Sequence, residues 1–326
     1  MRRGLRFLAL VLAILLILPS AVACARTPKD GRMRIVCTTF AAFDWCRNIV
    51  ADRAEVELLI SDGSDLHGYE PTVADKVRLI ESDLVVYLGG QSDAWVLDML
   101  ESEENIDIDA RTLCLSEVEG VILREPKRSS EEEHDHEHVH TEGDGHDHAF
   151  DEHLWLSLEN AIVCTRAIGA RLSVMDKAGP DEYAQNVDTY CEKLSAMSEA
   201  YAASVAEAKN DRLLVADRNP FVYVAEDYGL AFCAAFEGCT TESEASFDTI
   251  VRLSQKADEW QSRYVIVTDG SDQRLAKSVI SSSQNREMEI LSLNSMQSVT
   301  KRALQEGQTY LSVMEENLNV LRVALS

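Results

Sequence analysis

The sequence predicts an α/β protein with two lobes, each a mostly parallel sheet flanked by helices, joined by one long connecting helix. Two observations lead to this prediction. Short apolar runs that suit buried parallel strands alternate with segments of helical spacing, both early and late in the chain. Between these regions, residues 181–209 contain no glycine or proline and repeat apolar residues at threes and fours. Such a helix would span roughly 40 Å at 1.5 Å per residue.

Residues 1–23 are typical of a secretion signal. Three arginines lie within the first six residues, followed by an apolar stretch (8–18) and small residues directly before Cys24. This arrangement resembles a bacterial lipoprotein signal, so we expect Cys24 to be lipidated and the mature protein to lie outside the cytoplasm, anchored to the outer face of the cell membrane. Free secretion is the alternative. Residues 24–32 form a polar tether, and no later stretch is long and apolar enough to span a membrane.

The chain is strongly acidic, with a net charge of -25 among 326 residues. A protein of this charge is repelled by nucleic acid and anionic lipid and attracts cations. Seven cysteines follow Cys24, and none forms a C-x-x-C pair, which argues against a thiolate zinc site. Cys233 and Cys239 are close enough in sequence to bridge, although buried core positions are favoured for them.

We expect the N-terminal lobe to span residues 33–123 and to be completed by residues 150–180. The loop at residues 61–70 is rich in turn-forming residues and contains His67. The alternation of the two kinds of segment predicts strands at residues 33–38, 56–60, 84–88 and 106–108, and helices at residues 43–51, 71–80, 93–100 and 160–175.

Residues 124–149 form a tract rich in histidine and acidic residues. It holds six of the 8 histidines: His134, His136, His138, His140, His146 and His148. Imidazole and carboxylate groups bind borderline cations, so this composition predicts an auxiliary metal-binding loop; a solvated acidic linker is the alternative. The tract has too little apolar surface to fold alone, and we expect it to be mobile. Its H-E-x-x-H spacing lacks the amphipathic helix that a metalloprotease needs.

The connecting helix is predicted at residues 181–210 and the C-terminal lobe at residues 211–326. Three polar residues, His67, Arg218 and Asp269, follow predicted strands, at the sheet edge where open α/β sheets bind ligands. In the C-terminal lobe the pattern predicts strands at residues 213–216, 231–236, 264–268 and 290–293, and helices at residues 221–228, 247–259, 271–282 and 309–325.

Two histidine motifs resemble a known family. His67-Gly-Tyr-Glu-Pro-Thr, together with Asp-Glu-His153-Leu-Trp-Leu and the histidine tract before it, is similar to the metal-binding solute receptors of ABC importers for zinc and manganese. The resemblance covers nearly the whole mature chain. It implies two α/β lobes, one long connecting helix, a metal in the cleft between the lobes, a membrane ABC permease as partner, a monomeric state and no enzymatic activity.

The resemblance also implies which residues bind the metal. The first and second ligands fall on His67 and His153, and the last, a carboxylate after a strand, falls on Asp269. Arg218 occupies the slot of the third ligand, and a protonated guanidinium has no lone pair to give.

Several acids remain as replacements for the third ligand. Asp217, Glu242, Glu244 or water would complete the metal shell. Arg218 would then pair with Asp217 or Asp269 behind the ligands.

Two histidines with one or two carboxylates favour Zn²⁺, whereas Mn²⁺ prefers more oxygen ligands. We therefore expect a receptor that captures Zn²⁺ in the cleft and delivers it to the permease, with the histidine tract as a weak collector. A manganese receptor is the alternative within the family. A zinc-dependent hydrolase is an alternative of another class, and it would need an open metal position and a general base.

Overall fold

The first lobe contains a four-stranded parallel sheet in the order β2-β1-β3-β4. The computed structural model describes residues 31–130, 150–238, 240 and 245–326, and Met33–Ser326 form one compact unit. The elements of this lobe are β1 Met33–Cys37, α1 Phe40–Val50, β2 Ala54–Leu58, α2 Val73–Glu81, β3 Leu84–Tyr87, α3 Trp95–Glu101, α4 Ile108–Arg111 and β4 Thr112–Cys114.

The prediction of a strand at residues 106–108 was wrong, because a short helix begins at Ile108. The Asp107 side chain accepts a hydrogen bond from the backbone of Ala110 at 3.2 Å and caps the short helix α4. The fourth strand begins after this helix, at Thr112, where it pairs with β3. Ile106 and Ile108 suggested a strand, but Asp107 between them caps the start of a helix.

The second lobe repeats the architecture with a parallel sheet in the order β6-β5-β7-β8. Its elements are β5 Arg212–Asn219, α7 Val222–Asp227, β6 Ala231–Glu237, α8 Phe247–Trp260, β7 Tyr264–Thr268, α9 Arg274–Ser282, β8 Glu289–Leu293, α10 Lys301–Gln305 and α11 Tyr310–Ala324. The predicted pair of parallel sheets flanked by helices is confirmed.

Two helices lie between the sheets in sequence, α5 (Leu158–Met175) and the 27-residue α6 (Pro180–Ala206). Proline at the first position of α6 costs no hydrogen bond, because that backbone group has no partner within a helix. The buried face of α6 repeats Tyr183, Val187, Tyr190, Leu194 and Tyr201, as the periodicity predicted. The long connecting helix is therefore present.

One hydrophobic core runs through both lobes and α6. At its centre Tyr310, the first residue of α11, donates its hydroxyl to the carbonyl of Trp155 at 2.6 Å and its N–H to Asp44 of α1 at 3.0 Å. The same Asp44 oxygen accepts from the hydroxyl of Tyr190 on α6 at 3.2 Å. Burial raises the pKa of Asp44, and these hydrogen bonds oppose the rise. The buried carboxylate ties both lobes to the connecting helix.

The first residues of the histidine tract, 124–130, contact the second lobe. Ser130 donates its N–H to the carbonyl of Phe232 at 3.0 Å, and Ala234 donates to the carbonyl of Arg128 at 2.6 Å, so this segment lies antiparallel to β6. Nη1 of Arg124 lies 2.6 Å from the Glu226 carboxylate on α7. Residues 124–130 of the tract predicted to be mobile thus make defined contacts. In the described part of the chain, no helix has the length and apolarity needed to cross a membrane.

Candidate metal centre

His67 is presented by a tight turn after β2. The Asp65 side chain accepts the N–H of His67 at 3.0 Å and starts a 3₁₀ turn at Leu66–Gly68, while the buried Leu66 anchors the turn to the core. The His67 side chain is only 6% exposed. Its Nδ1 atom lies 2.7 Å from Oγ of Ser92 and 3.3 Å from Oε2 of Glu152. These contacts direct Nε2 away from the first lobe's core.

His153 is completely buried. Oδ1 of Asp151 accepts the N–H of His153 at 3.0 Å and lies 2.7 Å from its Nδ1. The chain then forms a 3₁₀ turn at Leu154–Leu156, in which Trp155 is buried and donates its indole N–H to the carbonyl of Ser295 at 2.9 Å. The histidine is therefore held by its neighbours in sequence and by a loop of the second lobe.

The two imidazoles meet through their Nε2 atoms, which lie 3.1 Å apart. Each ring directs Nδ1 toward an oxygen acceptor, Asp151 for one and Ser92 with Glu152 for the other. Hydrogen bonding thus assigns the proton of each neutral ring to Nδ1 and leaves a lone pair on each Nε2. Two ligand atoms bound tetrahedrally at about 2.0–2.1 Å from Zn²⁺ lie about 3.3 Å apart. The observed separation is close to that value.

Glu152 supports His67 from behind. It is 3% exposed, accepts from the backbone N–H of Ser92 at 3.0 Å, and also accepts from the Ser92 hydroxyl. Burial would raise the pKa of Glu152, but the hydrogen bonds from His67 and Ser92 outweigh burial and lower the pKa to about 2. A Cβ atom at Gly90 would overlap the Glu152 carboxylate, so this close approach requires glycine. The site therefore holds one buried carboxylate behind each imidazole, Glu152 behind His67 and Asp151 behind His153.

Asp93 fixes the loop that carries Ser92. Its carboxylate accepts from the backbone of Leu88 at 2.6 Å and of Gly89 at 3.0 Å, and from the hydroxyl of Thr38 at 2.8 Å. It is fully buried. Burial raises the pKa of Asp93 to about 6, and the nearby charge of Glu152 adds to the rise, although the three hydrogen bonds oppose it.

Gln297 is the residue that the sequence analysis missed. It lies in the loop after β8, and its side-chain Nε2 contacts Nε2 of His153 and lies 3.4 Å from Nε2 of His67. The nitrogen and oxygen of a glutamine amide exchange places by rotation, so the same side chain can present a donor or an acceptor there. The only available sequence signal was its position after a strand at the ligand-binding edge of the sheet.

Asp269 follows β7, as predicted, and supports the same loop. Its Oδ1 accepts from the backbone N–H of Ser295 at 2.7 Å and from the Ser295 hydroxyl at 2.9 Å. Among the described residues, no three histidine, cysteine or acidic side chains are grouped closely enough to share a metal. The structure thus brings His67 and His153 together. Asp269 contacts Ser295, which precedes Gln297 by two residues in the same loop. A direct bond from Asp269 to the metal stays a prediction.

Asp217 and Arg218 lie at the end of β5. Asp217 accepts from the hydroxyl of Thr268 at 2.9 Å and from the N–H of Arg218 at 2.9 Å. The Arg218 guanidinium instead reaches the first lobe, where Nη2 lies 3.0 Å from Oδ2 of Asp65. The expected side-chain pairing of Arg218 with Asp217 or Asp269 is therefore replaced by an ion pair with Asp65. Glu242, Glu244, Cys24 and the six tract histidines (His134, His136, His138, His140, His146 and His148) lie outside the described residues.

Comparisons with known proteins agree on one family. Residues 35–324 match the family model described as "Zinc-uptake complex component A periplasmic". The chain is 30% identical over 302 residues to the zinc-binding lipoprotein AdcA of Streptococcus pneumoniae, covering 92% of this chain and 58% of that protein. It is 28% identical over 297 residues to the high-affinity zinc uptake system protein ZnuA of Bacillus subtilis, covering 91% and 89%. The chain thus spans little more than half the length of the AdcA relatives.

Solved structures show the same fold. The Zn(II)-bound ZnuA-like domain of Streptococcus pneumoniae AdcA superimposes with a TM-score of 0.70 at 25% identity, covering 90% of this chain and 99% of that domain. The metal-dependent lipoprotein YcdH of Bacillus subtilis gives a TM-score of 0.72 at 22% identity, over 90% and 99%. The two-lobed fold is therefore shared over almost the whole folded region.

Proposed function

The chain belongs to the family of periplasmic component A proteins of zinc-uptake complexes, and on this premise we propose that it is a receptor that captures Zn²⁺ between its lobes. The receptor then delivers the metal to the permease of an ABC importer. The observation that supports this most directly is the pair of Nε2 atoms 3.1 Å apart, His67 and His153. Each ring hydrogen-bonds through Nδ1, so the Nε2 lone pair is the one that would bind the metal.

Gln297 is the third metal donor in this proposal. Without metal, two Nε2 lone pairs facing each other repel, and the amide N–H groups of Gln297 satisfy them. When Zn²⁺ enters, rotation of the amide presents Oε1 to the metal instead. His67, His153 and Gln297 leave one position of a tetrahedral shell, for water or for Asp269 as predicted from the sequence. Asp269 keeps the Gln297 loop in place through Ser295.

Zinc is favoured over manganese by this donor set. Two imidazole nitrogens and one oxygen suit Zn²⁺, whereas Mn²⁺ is bound best by more oxygen ligands. None of the three proposed donors carries a negative charge, and the carboxylates of Asp151 and Glu152 lie behind the histidines. We expect this arrangement to bind zinc reversibly, as delivery to a permease requires.

The location and partners belong to the same proposal. The mature protein would be a monomer held outside the cytoplasm by lipid on Cys24, close to its permease. The names of the AdcA relatives, which are zinc-binding lipoproteins, support the anchor. The six tract histidines would collect zinc weakly next to the cleft, since the tract ends directly before Asp151 and His153.

Calorimetric titration with Zn²⁺ and Mn²⁺ tests the proposal. Metal-free protein is compared with a variant in which a Gly/Ser linker replaces residues 131–149, so that the contacts of residues 124–130 remain. We expect one tight zinc site to survive this change and the His67→Ala variant to lose it. The matched control is His138→Ala, the same substitution in the tract, which should keep the tight site.

Two outcomes would contradict the proposal. Loss of all zinc binding with residues 131–149 would assign the metal to the tract alone. Turnover of ester or peptide substrates that depends on His67 and on zinc would favour the hydrolase. Delivery is tested separately by zinc-limited growth of cells that lack the gene, which wild-type protein should restore and His67→Ala should not.

A further inference from the structure

Two buried thiols lie side by side in the first lobe, away from the metal ligands. Cys37 is the last residue of β1 and Cys46 lies in the second turn of α1. Both are 0% exposed, and their Sγ atoms are 3.7 Å apart. Of the other described cysteines, Cys114 contacts the hydroxyl of Ser116, Cys191 the carbonyl of Ile162 and Cys233 the guanidinium of Arg252.

The sulfurs of this pair are in direct contact, at a distance longer than a disulfide bond. An S–S bond is about 2.05 Å long, so the sulfurs must approach by about 1.7 Å for a bond to form. The two residues are nine positions apart, and the intervening chain is already folded into the β1–α1 turn and the start of α1. A bond here would close a loop that the native fold has formed.

We propose that Cys37 and Cys46 are joined by a disulfide in the mature protein. This inference rests on the extracytoplasmic location proposed above in one respect, because a disulfide oxidant is available there. One thiolate attacks the oxidant disulfide, forming a mixed disulfide and releasing one thiol. The second thiolate attacks the mixed disulfide, forms the Cys37–Cys46 bond and releases the second thiol. The protein loses two electrons and two protons, and the oxidant gains them.

The bond must form while the chain folds. Burial raises the pKa of Cys37 well above its usual range, and the neighbouring Cys46 raises it further, so the folded protein holds few thiolates. Once formed, the buried bond would be shielded from reductants until the chain unfolds. It would fix the turn that begins at Thr38, whose hydroxyl donates to Asp93 at 2.8 Å and so connects this turn to the loop behind His67.

Peptide mapping of the exported or oxidatively refolded full chain tests this directly. Trypsin cuts after Arg34 and Arg47, so both cysteines lie in one peptide, residues 35–47. The protein is unfolded in N-ethylmaleimide without reductant and then digested. We expect this peptide to be unlabelled, with a mass two hydrogens below that of the dithiol, and to take two labels after reduction. Cys191, also buried, is the internal control and should be labelled without reduction.

Two labels on residues 35–47 before reduction would overturn the proposal, as would a bond from Cys37 to any other cysteine. A second measurement does not depend on a variant folding well. Reductant should lower the melting temperature of wild-type protein by a few degrees, because a loop of about ten residues is released. The Cys37→Ala/Cys46→Ala variant should show no such shift. Zinc titration of the same sample tests the receptor function independently. A failure of the disulfide proposal can therefore be told from a failure of the receptor proposal.

Discussion

Nη2 of Arg218 lies 3.0 Å from Oδ2 of Asp65, so one ion pair joins the end of β5 in the second lobe to the loop that presents His67 in the first. The other oxygen of Asp65 accepts the N–H of His67. The two side chains are 28% and 36% exposed, so the pair contributes at most about 1 kcal/mol to stability. Its larger effect is on the charge beside the metal site.

Changes to the two partners of this ion pair should move zinc affinity in opposite directions. Arg218→Gln leaves the negative charge of Asp65 next to His67, and we expect tighter zinc binding by a factor of a few. Asp65→Asn keeps an oxygen for the N–H of His67 but leaves the guanidinium positive, and we expect weaker binding. Calorimetry at low and high salt measures both. Affinities that change in the same direction would mean that the pair acts through lobe geometry instead of charge.

Replacing Gln297 by glutamate should strengthen zinc binding by about tenfold or more. The substitution keeps the size of the side chain and adds a charged oxygen donor within a mostly buried site. Gln297→Met keeps the length without a hard donor and should weaken binding.

The control for Gln297→Glu is Gln284→Glu, which adds the same charge on an exposed residue at the other end of β8. Competition with a zinc-sensitive dye gives the affinities. Equal affinities of the Gln297→Glu variant and wild-type protein would remove Gln297 from the donor set.

Glu152→Gln should weaken zinc binding by about 10- to 100-fold, since a carboxylate behind a ligating imidazole orients it and raises its basicity. It should also change the pH dependence of stability. The pKa of Glu152 is about 2 in the folded protein against an ordinary 4.5. The ionised carboxylate therefore stabilises the fold above pH 4.5, and this stabilisation is lost as the pH falls toward 2.

Urea unfolding of metal-free protein checks this prediction. The stability advantage of wild-type protein over Glu152→Gln should shrink by about 2 kcal/mol between pH 6 and pH 3. An advantage that stays constant over this range would show that Glu152 is not held ionised by His67 and Ser92.

Asp93→Asn should show the opposite pH dependence. The pKa of Asp93 is about 6 in the folded protein against an ordinary 3.8, so its protonated form stabilises the fold below pH 3.8 and this stabilisation is lost as the pH rises through 6. Relative to Asp93→Asn, wild-type protein should lose about 2 kcal/mol of unfolding free energy between pH 4 and pH 7. Urea unfolding at both pH values measures the difference. A constant difference would contradict the burial argument, whatever the absolute stability of the variant.

The sequence was sufficient to predict the two parallel sheets and the long helix, because apolar runs and the periodicity of residues 181–209 reflect burial directly. The resemblance of the two histidine motifs also led us to expect His67 and His153 at one site, and the structure brings their Nε2 atoms to 3.1 Å. That they bind the metal stays a prediction. Gln297 escaped prediction because an amide is an uncommon metal donor. Asp269 was the more conspicuous carboxylate, yet its observed hydrogen bonds go to Ser295. Such partners depend on loop packing that local sequence does not encode.

The antiparallel contact of residues 128–130 with β6 has a further consequence for the behaviour of the protein in solution. β6 is the edge strand of the second sheet, and unpaired backbone groups at a sheet edge invite other chains to add as strands. Ser130 and Arg128 occupy part of that edge. Proteolysis or truncation that removes this segment along with the histidines would uncover a template for self-association. Aggregation, and not loss of metal affinity, would then be the first visible defect of a shortened chain.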